Sequence, residues 1–351
     1  MSDVAVVGFA QAPQVRRTEG TTNGVEMLVP IFAEVMVGLG LTKTDIDFWC
    51  SGSSDYLAGR AFSFISAIDA IGAFPPIVES HVEADAAWAL YEAWLKIRTG
   101  EAQTALVYGF GKSSAGDLRR TLTRQLDPYT VAPLWPDSVS IAALQARLGI
   151  EGGLWDERAM ADVAVRSRRD AETNPFAQLS GSKDADELLA QPYLADPLRV
   201  HDCAPITDGA AVIVLASAER AWELAERPAW ITGIEHRIDS AELGGRDLTV
   251  SPSTSAAARA VGVDSVDVAE LLAPFTHQEL LLRTAIGLGE DVRVNPSGGA
   301  LAGNPMFAAG LVRIGEAARQ VMSGAAGRAL AHATSGPLLQ QNLICVLEGR
   351  S

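Results

Sequence analysis

The sequence predicts an α/β fold, with two duplicated halves stacked as α/β/α/β/α layers and a loop subdomain inserted between them. Three observations carry this reading. Strand-like and helix-like segments alternate along most of the 351 residues, which calls for sheets covered on both faces by helices. The order of elements before residue 113 returns after residue 201. Between them, the chain turns Pro- and aromatic-rich and then amphipathic. The expected division is residues 1–112, 113–201 and 202–351.

In the first half, residues 3–8 read as a short buried strand, and residues 25–40 as a helix from apolar spacings of three and four. Gly40-Leu-Thr-Lys-Thr-Asp-Ile-Asp47 then stops the helix, turns, and enters the next strand. Residues 81–99 read as a helix rich in small residues, followed by a turn at Gly100 and a strand over 104–110. In the insert, Asp127 to Pro136 has no regular period, and helices are expected over 138–148, 156–174 and 184–191. The second half repeats the first. Residues 208–217 form a strand, and the Gly262–Leu271 stretch repeats the Gly-turn-Asp-apolar pattern that follows Gly40. A helix over 304–320, a turn at 324–327 and a strand over 328–333 complete the repeat.

Composition narrows the function. Apolar residues at 48% and charged residues at 20% suit a globular chain and exclude a disordered one. A net charge of −15 repels phosphate polyanions and argues against a nucleic-acid partner. No apolar run approaches the roughly 20 residues that span a bilayer, and the start has no basic leader, so no membrane role and a cytoplasmic location are expected. Cys50, Cys203 and Cys345 are too few and too far apart for a disulfide framework or a metal pair. His201-Asp-Cys203 is read as a strand entry, since adjacent residues on an extended segment face opposite ways and cannot chelate one ion. No metal is expected. Arg119, Arg120 and Arg124, and Arg166, Arg168 and Arg169, are the local basic clusters available to a phosphate-bearing ligand, although a solvated helix face is the simpler use of each.

The densest signal is Val294-Asn-Pro-Ser-Gly-Gly-Ala-Leu-Ala-Gly-Asn-Pro305 and its continuation to Gly310. A strand-like lead runs through a glycine turn into a helix of small residues. Gly298 and Gly299 permit positive φ and the close approach of a ligand or another backbone, and a helix N-terminus can hold an anion. Together with Val4-Ala-Val-Val-Gly-Phe9, the stretch after Gly40, Asp208-Gly-Ala-Ala211, Phe275-Thr-His-Gln-Glu-Leu280 and Gln341–Glu348, this resembles the thiolase superfamily. The resemblance lies in the branch of sterol-carrier-type thiolases and lipid-transfer proteins and covers nearly the whole chain.

The resemblance implies a thiolase-like fold, an acyl-CoA ligand with no further cofactor, and a homo- or hetero-dimer. It also implies a partner built from a zinc ribbon and an OB-fold. Family members carry an acylated cysteine at a buried helix start; here that segment holds Asp85 and Ala86. A second position, usually His or Asn, is Leu272, with His277 the nearest imidazole in sequence. The family's Gly-His-Pro reads Gly303-Asn304-Pro305, and its C-terminal cysteine loop falls at Thr334-Ser335-Gly336. Asp85, as base or plain helix cap, His277 and Asn304 are therefore the catalytic candidates; Ser297, Gly298, Gly299, Ser335 and Gly336 are the substrate-binding ones. Phe62, Phe64, Trp135, Trp155 and Phe176 are candidate linings for a bulky ligand, with core packing the simpler use. Three functions follow from the resemblance. The first is an acyltransferase or retro-aldol C–C lyase acting at the β-carbon of an acyl-CoA, steroid side chains included, through a degenerate site. The second is a silent subunit supporting a catalytic partner. The third is a lipid or acyl-CoA carrier.

Overall fold

A computed structural model describes residues 2–19, 24–55 and 62–350. The strands are β1 (Val4–Gln11), β2 (Phe48–Gly52), β3 (Glu79–Val82), β4 (Thr104–Lys112), β5 (Tyr193–Ala195), β6 (Leu198–Arg199) and β7 (Ile206–Ser217). They continue with β8 (Ala229–Ile238), β9 (Val268–Leu271), β10 (Arg293–Val294), β11 (Asn304–Pro305), β12 (Arg328–Ser335) and β13 (Gln341–Gly349). The described helices are α1 (Val25–Gly38), α2 (Ile65–Ile71), α3 (Ala86–Arg98), α4 (Leu118–Arg124), α5 (Ser138–Glu151) and α6 (Glu157–Asp170). After these come α7 (Ala185–Leu189), α8 (Ala218–Leu224), α9 (Pro252–Val261), α10 (Thr276–Ile286) and α11 (Ala309–Met322).

The duplication is explicit in the strand order. One half runs β1-β7-β4-β2-β3 and the other β8-β13-β12-β9-β10. In each half the first three strands pair antiparallel and the last two join in parallel. The sheets are not separate. Ala5 pairs with Trp230 and Val6 with Ala229, so β1 and β8 join the halves edge to edge.

Alternation along the strands sorts side chains into layers. Val4, Val6, Val107, Ile213 and Leu215 of one half, and Val268, Ala329, Ala331, Cys345 and Leu347 of the other, face a common central core that contains α3 and α11. Their neighbours Ala5, Val7, Leu106, Val212 and Val214 face the outer core under α1 and α2. Ala269, Leu271, Leu330, Ile344 and Val346 face the other outer core under α9 and α10. This is the expected α/β/α/β/α stack. The alanines along α3 and α11 let two helices fit between two sheets, where larger side chains would force them apart.

Residues 113–201 form α4 to α7 and the small β5–β6 pair. Val139, Ile141, Ala142 and Ala146 of α5 join the outer core of the second half. Ser167 of α6 donates to the Gly298 carbonyl. No helix among the described residues is long and apolar enough to cross a membrane.

Three local expectations need correction. Residues 79–82 form the edge strand β3, and the helix begins only at Ala86, where the Asp85 side chain caps it. The helix expected from residue 304 begins at Ala309. Before it, Asn304 and Pro305 lie parallel to Ile206 and Thr207, and Phe307 takes a left-handed φ of 64°. Pro305 cannot donate a backbone N–H, which suits a strand end better than a helix interior. Finally, His201-Asp-Cys203 is a 3-10 turn over Val200–Asp202 rather than a strand, and Cys203 bridges to Phe275.

Candidate functional site

The two central helices start against one another, and Asp85 lies between them. Its extended backbone (φ −59°, ψ 145°) places it one residue before α3, and Oδ1 accepts from Ala87 N at 2.9 Å. The same carboxylate reaches the start of α11: Oδ2 accepts from Gly310 N at 3.0 Å and Oδ1 from Leu311 N at 3.2 Å. The intervening donor Ala86 N bonds to Phe307 O at 2.9 Å. Asp85 is only 5% exposed. Burial pushes its carboxyl above the usual range, while the three backbone N–H groups pull it back.

One side chain thus satisfies donors at both helix starts, the groups an anionic or oxyanion-bearing ligand would need. Gly310 makes this contact possible, because a Cβ there would lie 2.5 Å from Asp85 Oδ1 and 2.7 Å from the Ala333 Cβ. Leu272, Ala300 and Ala309 pack together as a small apolar cluster.

None of the other candidates is among the groups bonded to Asp85. His277 is fully buried on the far side of the second half-sheet, beside Gln145 (Nε2 to Oε1, 3.1 Å), Trp155 and Phe275. Burial lowers its imidazole to about 3, so it stays neutral and serves the outer core. Asn304 N donates to Thr207 Oγ1 at 2.9 Å, which fixes β11 on β7. Ser335 pairs with Gln341 at the end of β12, and Gly336 opens the following turn with φ 75°.

The Asn-Pro-Ser-Gly-Gly turn is built for packing. A Cβ on Gly298 (φ 94°) would strike Ala171 and Ala302 at 2.6 and 2.7 Å; on Gly299 (φ 64°) it would strike the Asn295 side chain. Protein, rather than a ligand, makes the close approach. Ser297 is also spent: its N and Oγ bond to Glu270 at 3.0 and 2.8 Å, and Arg313 donates to both Glu270 Oε2 and Ser297 Oγ at 2.7 Å. Burial raises the Glu270 carboxyl and Arg313 opposes the shift. Asn295 accepts from Leu271 N and donates to Glu279, which in turn pairs with Arg166 of the insert. The sequence reading misses this buried network; a Glu inside an apolar strand and an Arg among alanines are the signals that could reveal it.

Asp208 is a second missed anchor. It is fully buried and accepts from Thr18 N and Oγ1 and from Ser114 N and Oγ. Cys345 is inert core, its thiol raised by burial. The aromatic candidates disperse: Phe62 and Trp135 are 64% and 56% exposed, while Trp155 is in the outer core. Arg319 covers the ring of Phe176. The five histidines of the chain are all described, and none is among the groups bonded to Asp85.

Fold and site together define a duplicated five-layer α/β protein whose paired central helix starts are closed by an aspartate. Comparison with known proteins shows what it is similar to. No protein-family model matches the sequence. An acetyl-CoA acetyltransferase of Methanothermobacter thermautotrophicus is 26% identical, with 93% of each chain covered. The 17-hydroxy-3-oxo-4-pregnene-20-carboxyl-CoA lyase of Mycobacterium tuberculosis is 29% identical over 64% of this chain and 60% of its own. Human sterol carrier protein 2 is 25% identical over 68% of this chain and 51% of its own. The solved Ltp2-ChsH2(DUF35) aldolase superposes with a TM-score of 0.83 at 18% identity, covering 99% of this chain and 98% of that one, and so shares the fold. These likenesses support the thiolase superfamily, in the branch of the sterol-carrier-type thiolases and lipid-transfer proteins.

Proposed function

We propose that this chain serves acyl-CoA-linked lipid metabolism as a thiolase-fold subunit without turnover of its own, supporting a catalytic partner chain. The observation that carries the reading is the double cap: Asp85 occupies the Ala87, Gly310 and Leu311 N–H groups at once. Thiolysis requires an activated nucleophile and proton-transfer groups beside the reacting carbonyl. At the family's positions this chain offers a buried carboxylate, an Asn on a strand, and Leu272 in an apolar cluster. Retro-aldol cleavage requires a base and an oxyanion site. Asp85 is the acid in place, and the donors such a site would use are already bonded to it.

The relatives support the metabolic setting, since those named above are named for CoA esters and sterols. The partner belongs to the same proposal: a second thiolase-like chain, a zinc-ribbon/OB-fold acyl-CoA-binding protein, or both. The test is to assay the chain alone and co-expressed with thiolase-like and zinc-ribbon proteins encoded beside it, using β-ketoacyl- and β-hydroxyacyl-CoAs. Turnover only in a combination, surviving Asp85→Ala in this chain, supports the reading. Full turnover by the isolated chain overturns it.

A further inference from the structure

Away from the helix starts, one group of side chains has the composition and spacing of a cation site. His81 lies on the edge strand β3 and Glu83 in the bend just past its end, and their side chains come together, with His81 Nε2 3.7 Å from Glu83 Oε2. Asp55, three residues past the end of β2, comes alongside because β2 and β3 are parallel neighbours with Gly52 opposite Val82. The donor atoms of Asp55, His81 and Glu83 all lie within 4.8 Å of one another. We infer that Asp55, His81 and Glu83 form a binding site for a divalent transition metal of the zinc type, with solvent completing the coordination.

Each ligand is held before the metal arrives. His81 Nδ1 lies 3.3 Å from Ser51 Oγ, and its ring stacks on Phe64 with centroids 5.0 Å apart. A proton on Nδ1 shared with that hydroxyl leaves the Nε2 lone pair directed at the carboxylates, the usual support for a metal-bound imidazole. Asp55 accepts from Phe62 N and Ser63 N at 2.9 and 2.7 Å, and Glu83 accepts from Asp55 N through both oxygens at 2.8 and 3.0 Å.

The spacing also suits an ion better than a direct bond. His81 Nε2 and Glu83 Oε2 are 3.7 Å apart, longer than a charged hydrogen bond of about 2.8 Å. Ligands about 2.1 Å from a tetrahedral ion are separated by about 3.4 Å, so the His81–Glu83 pair needs only a small contraction to hold one. An imidazole among the ligands favours zinc, nickel or cobalt over magnesium and calcium. Bound there, the ion would clasp the segment after β2 to the edge strand of the sheet.

The test uses the full-length chain stripped with chelator. Titration calorimetry with zinc chloride is expected to give one equivalent of saturable binding, with magnesium and calcium giving none at the same concentration. Zinc at 100-fold excess over its Kd is expected to raise the melting temperature by about 4 °C. His81→Asn and Glu83→Gln each reduce zinc affinity at least tenfold. Glu83 is half exposed, so its amide variant keeps the fold and separates lost binding from lost structure. Absence of saturable zinc binding overturns the assignment, as does zinc binding unchanged in both variants.

Discussion

If Asp85 holds two helices at once, its removal destabilises the protein by more than an ordinary helix cap. In Asp85→Ala, the Ala87, Gly310 and Leu311 N–H groups lose their acceptor inside the core. A typical N-cap loss is about 1 kcal/mol, and each of the two further buried donors left unmet adds about 1–3 kcal/mol. Freedom from the carboxylate's own burial cost offsets part of this, leaving a net loss of about 3 kcal/mol. With the unfolding entropy of a chain this long, that lowers the melting temperature by roughly 4 °C. The deficit also depends on pH. Burial raises the Asp85 carboxyl in the folded state, so its contribution is complete below the unfolded value of 3.8 and declines as pH rises through the folded value. Urea unfolding of wild type and variant across pH 4–8 measures both quantities. A variant within about 0.5 kcal/mol of wild type at every pH refutes the double-cap argument.

Three other perturbations probe neighbouring parts of the structure. Arg313→Met strands the buried Glu270 carboxylate and is expected to cost about 3–5 kcal/mol by chemical denaturation, with most of it recovered in the double variant Glu270→Leu/Arg313→Met. Gly310→Ala drives a Cβ into Asp85 and Ala333 and is expected to cost about 1–3 kcal/mol in the same experiment. His277 and His332 have folded values of about 3 and about 4, depressed by burial from 6.5. Their stabilisation is therefore present above pH 6.5 and lost toward those values, by about 2 kcal/mol per imidazole between pH 6.5 and 5. His332→Asn is expected to flatten that slope in urea titrations.

Much of the fold is legible because it is written in short-range patterns. Alternating strands, glycine stops after helices, and the repeated order of elements define the two halves without long-range information. The edge-to-edge joint between β1 and β8 is not legible, since two registered residue pairs leave no mark in either segment. The start of α11 escapes sequence reasoning because the small residues after Pro305 suit a helix equally well; the competing bond from Ala86 to Phe307 comes from 221 positions away in the chain. Asp85 reads as a helix cap from its position before Ala86. Its second helix, reached through Gly310 and Leu311, is a tertiary fact. His277 draws notice as the imidazole nearest Phe275, yet sequence proximity says nothing about which side of a sheet a helix covers. His81 and Glu83 fall within a segment whose small residues predict a helix, where residues two apart diverge; His81 instead lies on strand β3 and Glu83 in the bend after it, which brings the two side chains together.

We propose that the helix starts of this chain, shut by its own carboxylate, perform no acyl-CoA chemistry unaided. Single-turnover mass spectrometry of the purified chain, in molar excess over β-ketoacyl- and β-hydroxyacyl-CoAs, addresses it directly. The expected result is intact thioester and unmodified protein at every time point. Cleavage products or an acylated chain, abolished by Asp85→Asn, would contradict the account.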